Sequence, residues 1–383
     1  MPGTTASTHK PPATTSTSTT TTTTEADTTE PPTTATAPTT TTSTSTTTTS
    51  TTTTTTSSPP PTSTTTTIDP VDDIVGAIPL PHLANAVQLL RADNAAASVT
   101  VWRDRIPIFN AAWGTTNDGM PMTSDTPMVV ASVSKLVTAL TIARLAEEHL
   151  VDVGGPVPWD RMGLPHDPGW NDVTVRELLD HTSGMPKAQN SWLNDPGSCA
   201  IPLTDALALP PRPTRGRWTY SNGNYCALGL LIEAVTGAGR DSAADLLVFA
   251  PIGVTGAHLS TAGVLPTDAP YAKGVARLER LGGAGTWLIS TDDLAAMIDS
   301  VTPADLETMQ FPGIMLDQYG WGHTGTVDGA KSCAWVMEDS RTIVVATVSG
   351  LRPSTGGKVC DIVTPALALD LGIWADLPVR LPD

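Results

Sequence analysis

Hydrophobic and polar residues alternate in some segments of the chain, which predicts strands, and follow helical spacing in others, which predicts helices. Strands are predicted over residues 98–102, 106–113, 334–338 and 342–349, with a further short strand after the glycine-rich residues 282–285. Asp104-Arg105 separates the first two strands, and Asp339-Ser340 separates the last two. Each of these two pairs is therefore predicted to form a hairpin. One hairpin therefore lies near each end of the apolar part of the chain.

Apolar residues at helical spacing occupy most of the region between the hairpins. Helices are predicted over residues 75–91, from Ser132 to about 150, over 175–179, over about 222–235, from 291 onward and over about 360–371. Thr174 and Glu177 have the spacing of a capping box at the start of the third helix. Residues 151–170 are rich in Pro, Gly and Asp, which predicts a loop.

This distribution predicts an α+β fold. Strands near both ends with mostly helices between them indicate an antiparallel sheet built from both chain ends, flanked by helices. The intervening helices predict an inserted, mostly helical lobe over residues of about 150–275.

Residues 1–67 differ in composition from the rest of the chain. They are almost entirely Thr, Ser, Pro and Ala, without an aromatic residue, so they cannot bury enough apolar surface to offset the loss of backbone entropy on folding. We expect this segment to be disordered. Its composition fits an O-glycosylated stalk and an unmodified flexible spacer equally well. Residues 68–383 then form the folded domain.

The net charge of −17 excludes some classes of partner. Because the acidic residues lie mainly in residues 68–383, the charge argues against nucleic-acid binding and against adhesion to anionic lipid. The first thirty residues contain no apolar core of a signal peptide, and no window has the length and hydropathy of a membrane span. We expect an extracytoplasmic protein whose export signal lies upstream of the given sequence.

Four cysteines allow three disulfide pairings. The economical pairing is Cys199 with Cys226 and Cys333 with Cys360, which would close two loops of equal length, each worth roughly 3–4 kcal/mol in the chain-entropy model. The alternative is four buried free thiols. No cysteine or histidine spacing typical of a metal site occurs, so no metal and no cofactor are expected.

Ser132-Val133-Ser134-Lys135 is the first candidate for chemistry. A serine three residues before a lysine in a helix places hydroxyl and amine on one face, and a desolvated lysine can act as the base that serine needs. The pattern also arises by chance, as Ser7 and Lys10 show within the threonine-rich segment. The surrounding sequence therefore has to support it.

Two further motifs supply that support. Tyr220-Ser221-Asn222 offers a phenol for proton transfer and an amide for a substrate carbonyl, at the predicted start of a helix. His323-Thr324-Gly325-Thr326 precedes the last hairpin, where glycine lets a substrate backbone lie close to a strand edge.

Taken in this order, the motifs resemble those of the serine β-lactamase and penicillin-binding-protein superfamily, in the branch of class C β-lactamases and D-alanyl-D-alanine carboxypeptidases. The resemblance covers about residues 75–375. It rests on residues 131–135, 178–184, 220–222 and 322–329, four segments in the family's order.

The resemblance implies a role for each matching residue. Ser132 would be acylated, and Lys135 and Tyr220 would share the general-base role. Asn222 would hold the substrate amide, and Thr324 would help to bind the substrate carboxylate. The remaining implied roles are His323 in the position of the lysine of K-T-G, the variant usual in carboxypeptidases, and the backbone N–H groups of Ser132 and Thr326 as the oxyanion site. His181 is interpreted as a structural residue that orients a loop.

One departure from the family concerns the substrate. No Lys or Arg occurs from Leu281 to Ala330, so the arginine that can pair with a peptide carboxylate in carboxypeptidases of this branch is either missing or replaced from elsewhere, with Lys331 as the candidate. The expected activity is a serine D-alanyl-D-alanine carboxypeptidase acting on cell-wall peptides. The alternatives are an esterase or β-lactamase with the same serine, and a non-catalytic penicillin-recognising module that binds cell-wall peptidoglycan. A monomer with a small peptide, ester or β-lactam substrate is expected.

Overall fold

The computed structural model describes residues 78–373, apart from 188, 189, 194, 310–314, 318, 319, 338 and 340. All of these residues belong to the second of the two units into which the chain divides, Thr67–Asp383. The expected disordered segment and its boundary at residue 67 lie outside the described residues and stay predictions.

A six-stranded antiparallel sheet forms the centre of the described part. Its strands are β1 (Ala96–Arg103), β2 (Ile106–Trp113), β6 (Met315–Asp317), β7 (Gly320–Val327), β8 (Ala330–Met337) and β9 (Thr342–Ser349), while β3 (Met128–Val129), β4 (His258–Leu259) and β5 (Trp287–Ile289) form a smaller sheet. The order in the large sheet is β2-β1-β9-β8-β7-β6. Val99 of β1 pairs with Ala346 of β9, so the hairpin from one end of the chain joins the strands from the other. The predicted α+β fold with a sheet built from both ends is confirmed.

Helices cover both faces of the sheet. They are α1 (Pro81–Asp93), α2 (Ser134–Glu147), α3 (Val175–Leu179), α4 (Ala200–Leu207), α5 (Asn222–Thr236), α6 (Arg240–Ala244), α7 (Thr291–Asp299), α8 (Pro303–Met309) and α9 (Gly356–Leu371). Alternate residues of β9 enter two different cores: Val344 packs with α1 and α9, whereas Val345 belongs to the larger core that contains α2 and α5. A strand buried on both faces needs the nearly continuous apolar sequence that β9 has.

The sequence predicts which helices form more accurately than where they begin and end, and it does not predict the full β7 strand. The predicted capping box between Thr174 and Glu177 is present. The first helix begins at Pro81, because proline is favoured in the first helical turn. Residues 78–80 of the predicted helix are not helical, and residues 75–77 lie outside the described residues. The α2 helix ends at Glu147 and not at about residue 150. Residues 320–327 form a strand along their whole length. The alternation of polar and apolar residues does not predict this strand, because three of its positions are glycine.

Both disulfides follow the economical pairing. Cys199 at the start of α4 is joined to Cys226 in α5, and Cys333 in β8 is joined to Cys360 in α9. The first bond lies within the helical region and the second connects the sheet to the helix that covers it. Among the described residues, no helix has both the length and the hydropathy needed to span a membrane.

Gly325 lets β7 lie against the backbone that leads to Ser132. A Cβ atom at this position would collide with the carbonyl oxygen of Val130 and the hydroxyl of Ser332. These two groups are already joined, since the Ser332 hydroxyl donates a 2.6 Å hydrogen bond to the Val130 carbonyl. The contact fixes the distance between the strand and the candidate nucleophile.

We predict that Gly325→Ala lowers the free energy of unfolding by about 1–3 kcal/mol, because the extra methyl group must separate β7 from Val130. Urea unfolding measures the change. Gly154→Ala is the control, since its nearest neighbour would be the Asp152 carboxylate oxygen at 3.6 Å, an ordinary contact. Equal unfolding midpoints for Gly325→Ala and wild type would contradict the prediction.

Candidate active site

Ser132 lies at the junction of a short 3-10 helix, Ala131–Val133, and the α2 helix. Ala131 has φ 49°, a left-handed conformation that non-glycine residues seldom adopt and that clusters at functional sites. One turn further along, the Lys135 amine nitrogen lies 3.2 Å from the Ser132 Oγ. The predicted placement of hydroxyl and amine on one face is therefore present.

The Lys135 side chain is completely buried. Its amine nitrogen lies 2.9 Å from the Asn222 Oδ1 and 2.9 Å from the Ala284 carbonyl oxygen, in addition to Ser132. No carboxylate is among these partners. Burial therefore lowers the pKa of Lys135 well below its usual 10.5, since the charged form loses its hydration without gaining a counter-ion.

A neutral amine matches this set of three partners. It has two N–H groups, which can donate to Asn222 and Ala284, and one lone pair, which can accept the hydroxyl proton of Ser132. Lys135 placed in this way can act as a general base for Ser132.

Tyr220 approaches Ser132 from the other side. Its hydroxyl donates a 3.0 Å hydrogen bond to the Ser132 Oγ. Burial raises the pKa of Tyr220 to about 12, although the hydrogen bond to Ser132 acts in the opposite direction. The phenol therefore keeps its proton at neutral pH, so Ser132 lies between a proton acceptor and a proton donor.

Asn222 opens the α5 helix, directly after the N-cap residue Ser221, whose hydroxyl accepts from the Gly223 N–H. This cap fixes the first turn of α5 next to Ser132. The side-chain oxygen of Asn222 is occupied by Lys135, which leaves the amide N–H groups as the donors for a substrate carbonyl.

His323 lies on β7 with 3% of its surface exposed. Its Nδ1 donates a 2.6 Å hydrogen bond to the Thr324 carbonyl. Burial is the main cause that lowers the pKa of His323 to about 3, and any positive charge on the nearby Lys135 acts in the same direction. The imidazole is therefore neutral, unlike the lysine of the K-T-G motif whose place the sequence resemblance gives it.

The β7 strand places its edge beside the 3-10 helix that carries Ser132. Strand β6 pairs with residues 320–322 only, so no described strand covers the same edge beyond Gly322. A Cβ atom at Gly325 would lie 3.2 Å from the Ala131 Cβ, so β7 lies close to the 3-10 helix at this residue. The oxyanion site predicted from the Ser132 and Thr326 N–H groups stays a prediction.

The hydroxyl of Thr326 points away from Ser132, because it accepts a 2.8 Å hydrogen bond from Gly356 at the start of α9. Side chains alternate along a strand, so Thr324 shares this face of the sheet. Its predicted contact with a substrate carboxylate stays a prediction.

Lys331, the substitute for the missing arginine, is only 4% exposed. Its ammonium group donates a 2.8 Å hydrogen bond to the Gly350 carbonyl. Burial lowers the pKa of Lys331, with nearby Asp328 opposing the shift. The ammonium group of Lys331 is thus bound to the backbone just after β9, and we do not assign it to a substrate.

Sequence reasoning missed one part of the site. The Ala284 carbonyl lies in the glycine-rich turn that the sequence indicates only as a boundary of a short strand. This contact is not visible without the structure, because it joins distant segments. His181, interpreted from the sequence as an orienting residue, has its ring 4.7 Å from the Tyr220 ring.

Two cavities lie away from Ser132. They have volumes of about 540 and 580 Å³ and are lined by other residues, among them Asp268 in the first and Trp321 in the second. Within the described ranges, no group of three or more His, Cys, Asp or Glu side chains is arranged to hold a metal ion.

The family model for beta-lactamase matches residues 83–364, which is well over half of the chain. The chain belongs to the beta-lactamase family. The resemblance inferred from the four motifs is thereby confirmed, and members of this superfamily are serine hydrolases.

By sequence, the chain is similar to a teichoic acid D-alanine hydrolase of Staphylococcus aureus, at 23% identity over 218 residues that make up 53% of this chain and 52% of that protein. The chain thus spans about half the length of the curated relatives it matches.

Three solved structures share the fold. A D-stereospecific amidohydrolase from Streptomyces has 21% identity and a TM-score of 0.59 over 71% of this chain and 94% of that one. A D-amino acid amidase from Ochrobactrum anthropi has 19% identity and a TM-score of 0.62, with coverage of 76% and 99%. FmtA from Staphylococcus aureus has 17% identity and a TM-score of 0.61, with coverage of 76% and 87%.

We predict that acylation of Ser132 accelerates as the pH rises through the lowered pKa of Lys135, because only the neutral amine can accept the serine proton. The alkaline side of the profile should stay flat until Tyr220 loses its proton near pH 12. Stopped-flow measurement of acylation between about pH 5 and 10 tests this.

Lys135→Met is the matched variant, since it keeps the length of the side chain and removes the base. We expect its acylation rate to fall by about 10²–10⁴-fold. An acylation rate that is highest at the acid end, or a Lys135→Met variant as fast as wild type, would contradict the assignment.

Proposed function

We propose that the protein hydrolyses an ester or amide bond formed by the carboxyl group of a D-amino acid, D-alanine above all, through an acyl-enzyme on Ser132. The observation that carries the proposal is the position of the Ser132 hydroxyl between the amine of Lys135 and the phenol of Tyr220. That arrangement supplies both proton transfers of an acyl transfer reaction.

In the proposed first step, Lys135 takes the Ser132 proton while the Oγ attacks the substrate carbonyl carbon. The negative charge on the carbonyl oxygen is held by the N–H groups of Ser132 and Thr326. As the bond to the leaving group breaks, Tyr220 gives its proton to the departing oxygen or nitrogen. The proton on Lys135 then restores the phenol.

Water completes the reaction in the second step. It attacks the acyl-enzyme carbonyl, loses a proton to the pair formed by Lys135 and Tyr220, and releases the D-amino acid. The Ser132 oxygen recovers its proton from the same pair. The net reaction consumes one water and yields the acid and an alcohol or amine.

The charge around β7 supports a leaving group without a carboxylate. No Lys or Arg occurs from Leu281 to Ala330, His323 is neutral, and Lys331 is bound to the Gly350 carbonyl. A peptide that ends in a carboxylate would find no cation on this strand, whereas a neutral ester or amide needs none.

The names of relatives support the D-amino acid. Similar proteins include a teichoic acid D-alanine hydrolase, a D-stereospecific amidohydrolase and a D-amino acid amidase. The two disulfides support an oxidising, extracytoplasmic location. We therefore propose a monomeric cell-envelope enzyme whose substrate is a D-alanylated cell-wall component.

D-alanyl-D-alanine carboxypeptidase activity is the second candidate. Histidine at position 323 favours it, because the resemblance associates this variant of K-T-G with carboxypeptidases. The absence of Lys and Arg from residues 281–330 argues against it, and argues equally against β-lactams, which carry a carboxylate as well.

We predict that wild type hydrolyses a D-alanyl ester and a D-alanyl anilide, and that Ser132→Ala hydrolyses neither. A D-alanyl-D-alanine peptide and a chromogenic cephalosporin should react at least about tenfold more slowly, a difference that one missing charged contact can produce. Intact-protein mass spectrometry should detect the D-alanyl adduct on wild type alone.

L-alanyl versions of the same substrates control for stereochemistry, and Ser134→Ala controls for the loss of a nearby serine. The Ser134 hydroxyl, which the variant removes, accepts the Trp287 N–H, and its backbone is left in place, so this variant should still be acylated. Absence of Ser132-dependent turnover with all four substrates would refute the proposed function. Faster turnover of the peptide than of the ester would select the carboxypeptidase.

A further inference from the structure

His181 lies behind the proposed catalytic residues, between two tyrosines. Its ring centroid lies 4.7 Å from that of Tyr220 and 5.2 Å from that of Tyr225, and only 1% of the residue is exposed. The residue has φ 56°, so the chain turns sharply here, directly after α3. The turn directs the imidazole at the segment that carries Tyr220 and Asn222.

The Nδ1 atom of His181 accepts two hydrogen bonds from that segment. One comes from the backbone N–H of Ser221 at 3.4 Å, and the other from the side-chain Nδ2 of Asn224 at 2.9 Å. A backbone N–H can only donate, so Nδ1 must carry a lone pair and the proton of a neutral ring must be on Nε2.

The orientation of Asn224 agrees with this tautomer. Its Oδ1 accepts a 2.6 Å hydrogen bond from the Ser183 hydroxyl, which itself accepts from the Met185 N–H. The Ser183 proton is therefore committed to Asn224, and the Asn224 amide presents its N–H to His181. Ser183 and Asn224 are both completely buried, so each of these bonds is costly to lose.

The backbone of His181 binds the same segment. Its carbonyl oxygen accepts a 2.8 Å hydrogen bond from the Thr219 N–H. Within the residues 219–224, His181 therefore contacts Thr219 by its carbonyl, Ser221 and Asn224 by Nδ1, and Tyr220 by its ring. These contacts enclose the two residues that reach Ser132 and Lys135.

We propose that His181 is a positioning residue, whose Nδ1 acceptor fixes the start of α5 and so sets Tyr220 and Asn222 at hydrogen-bonding distance from Ser132 and Lys135. The role rests on the proposed function of those residues.

The ring must stay neutral to do this, since a proton on Nδ1 would remove both acceptor bonds. Burial is the main reason that the pKa of His181 is lowered to about 2, and any positive charge on Lys135 or His323 acts in the same direction. The Nε2 atom is buried and has no hydrogen-bond partner among the described residues, so Nδ1 carries the polar contacts of the ring.

Two variants separate the acceptor from the ring. His181→Asn places an amide oxygen near the position of Nδ1 and tolerates the left-handed backbone, whereas His181→Phe keeps an aromatic ring and loses the acceptor. We expect kcat to fall by about 10²-fold in His181→Phe, since misplaced catalytic groups affect chemistry more than binding, with a smaller rise in KM because Asn222 also contacts the substrate. In His181→Asn, kcat should stay within about threefold of wild type.

Other outcomes overturn the proposal. A His181→Phe variant with the kcat of wild type would show that the acceptor is unnecessary. An equal loss of kcat in both variants would show that the ring as a whole, or the fold, is what matters; thermal unfolding of each variant accompanies the kinetics.

A measurement on wild type without substrate tests the same inference independently. Nitrogen-15 NMR should show His181 as a neutral ring protonated on Nε2 from about pH 5 to 8, as expected for a buried acceptor. A proton on Nδ1 would refute the proposal. If wild type hydrolyses no substrate, the proposed function fails, but the tautomer and the Tyr220 ring shifts of the two variants still decide whether His181 sets this segment.

Discussion

The burial of the Lys135 amine is the constraint on which the rest of the site depends. An amine removed from water without a carboxylate partner must be neutral, or it destabilises the fold. Its three partners come from the 3-10 helix before α2, from the start of α5 and from the turn before β5, so these elements have to converge on one nitrogen atom. The convergence creates both the low pKa of Lys135 and the position of Ser132.

The sheet keeps this convergence rigid. Strands from both ends of the chain pair at β1 and β9, and both faces of β9 are buried. The β7 strand is brought against the backbone before Ser132 because Gly325 has no side chain. The nucleophile, its base and the strand edge therefore belong to different parts of the sequence but to one packed core, and such packing allows little relative movement.

Site residues could be predicted from the sequence where their function depends on local spacing. Ser132 and Lys135 are one helical turn apart, and Tyr220 and Asn222 flank a helix start, so their neighbourhood could be predicted. Prediction failed where glycines removed the alternation, as in β7, and where proline moved a helix start, as at Pro81. Lys331 looked available in the sequence and is buried against Gly350, since nothing local to the chain reveals that contact.

The sequence by itself determined the family and the order of the motifs, because both follow from residue type and spacing. It left three cysteine pairings open, and the fold selected one of them. Only the tertiary structure decided the protonation states. The pKa of Lys135 is lowered because Asn222 and Ala284, 87 and 149 positions away, help to bury its amine, and the pKa values of His323 and His181 are lowered because the same core excludes water from them. A pKa reports the surroundings of a group, and those surroundings are assembled by folding.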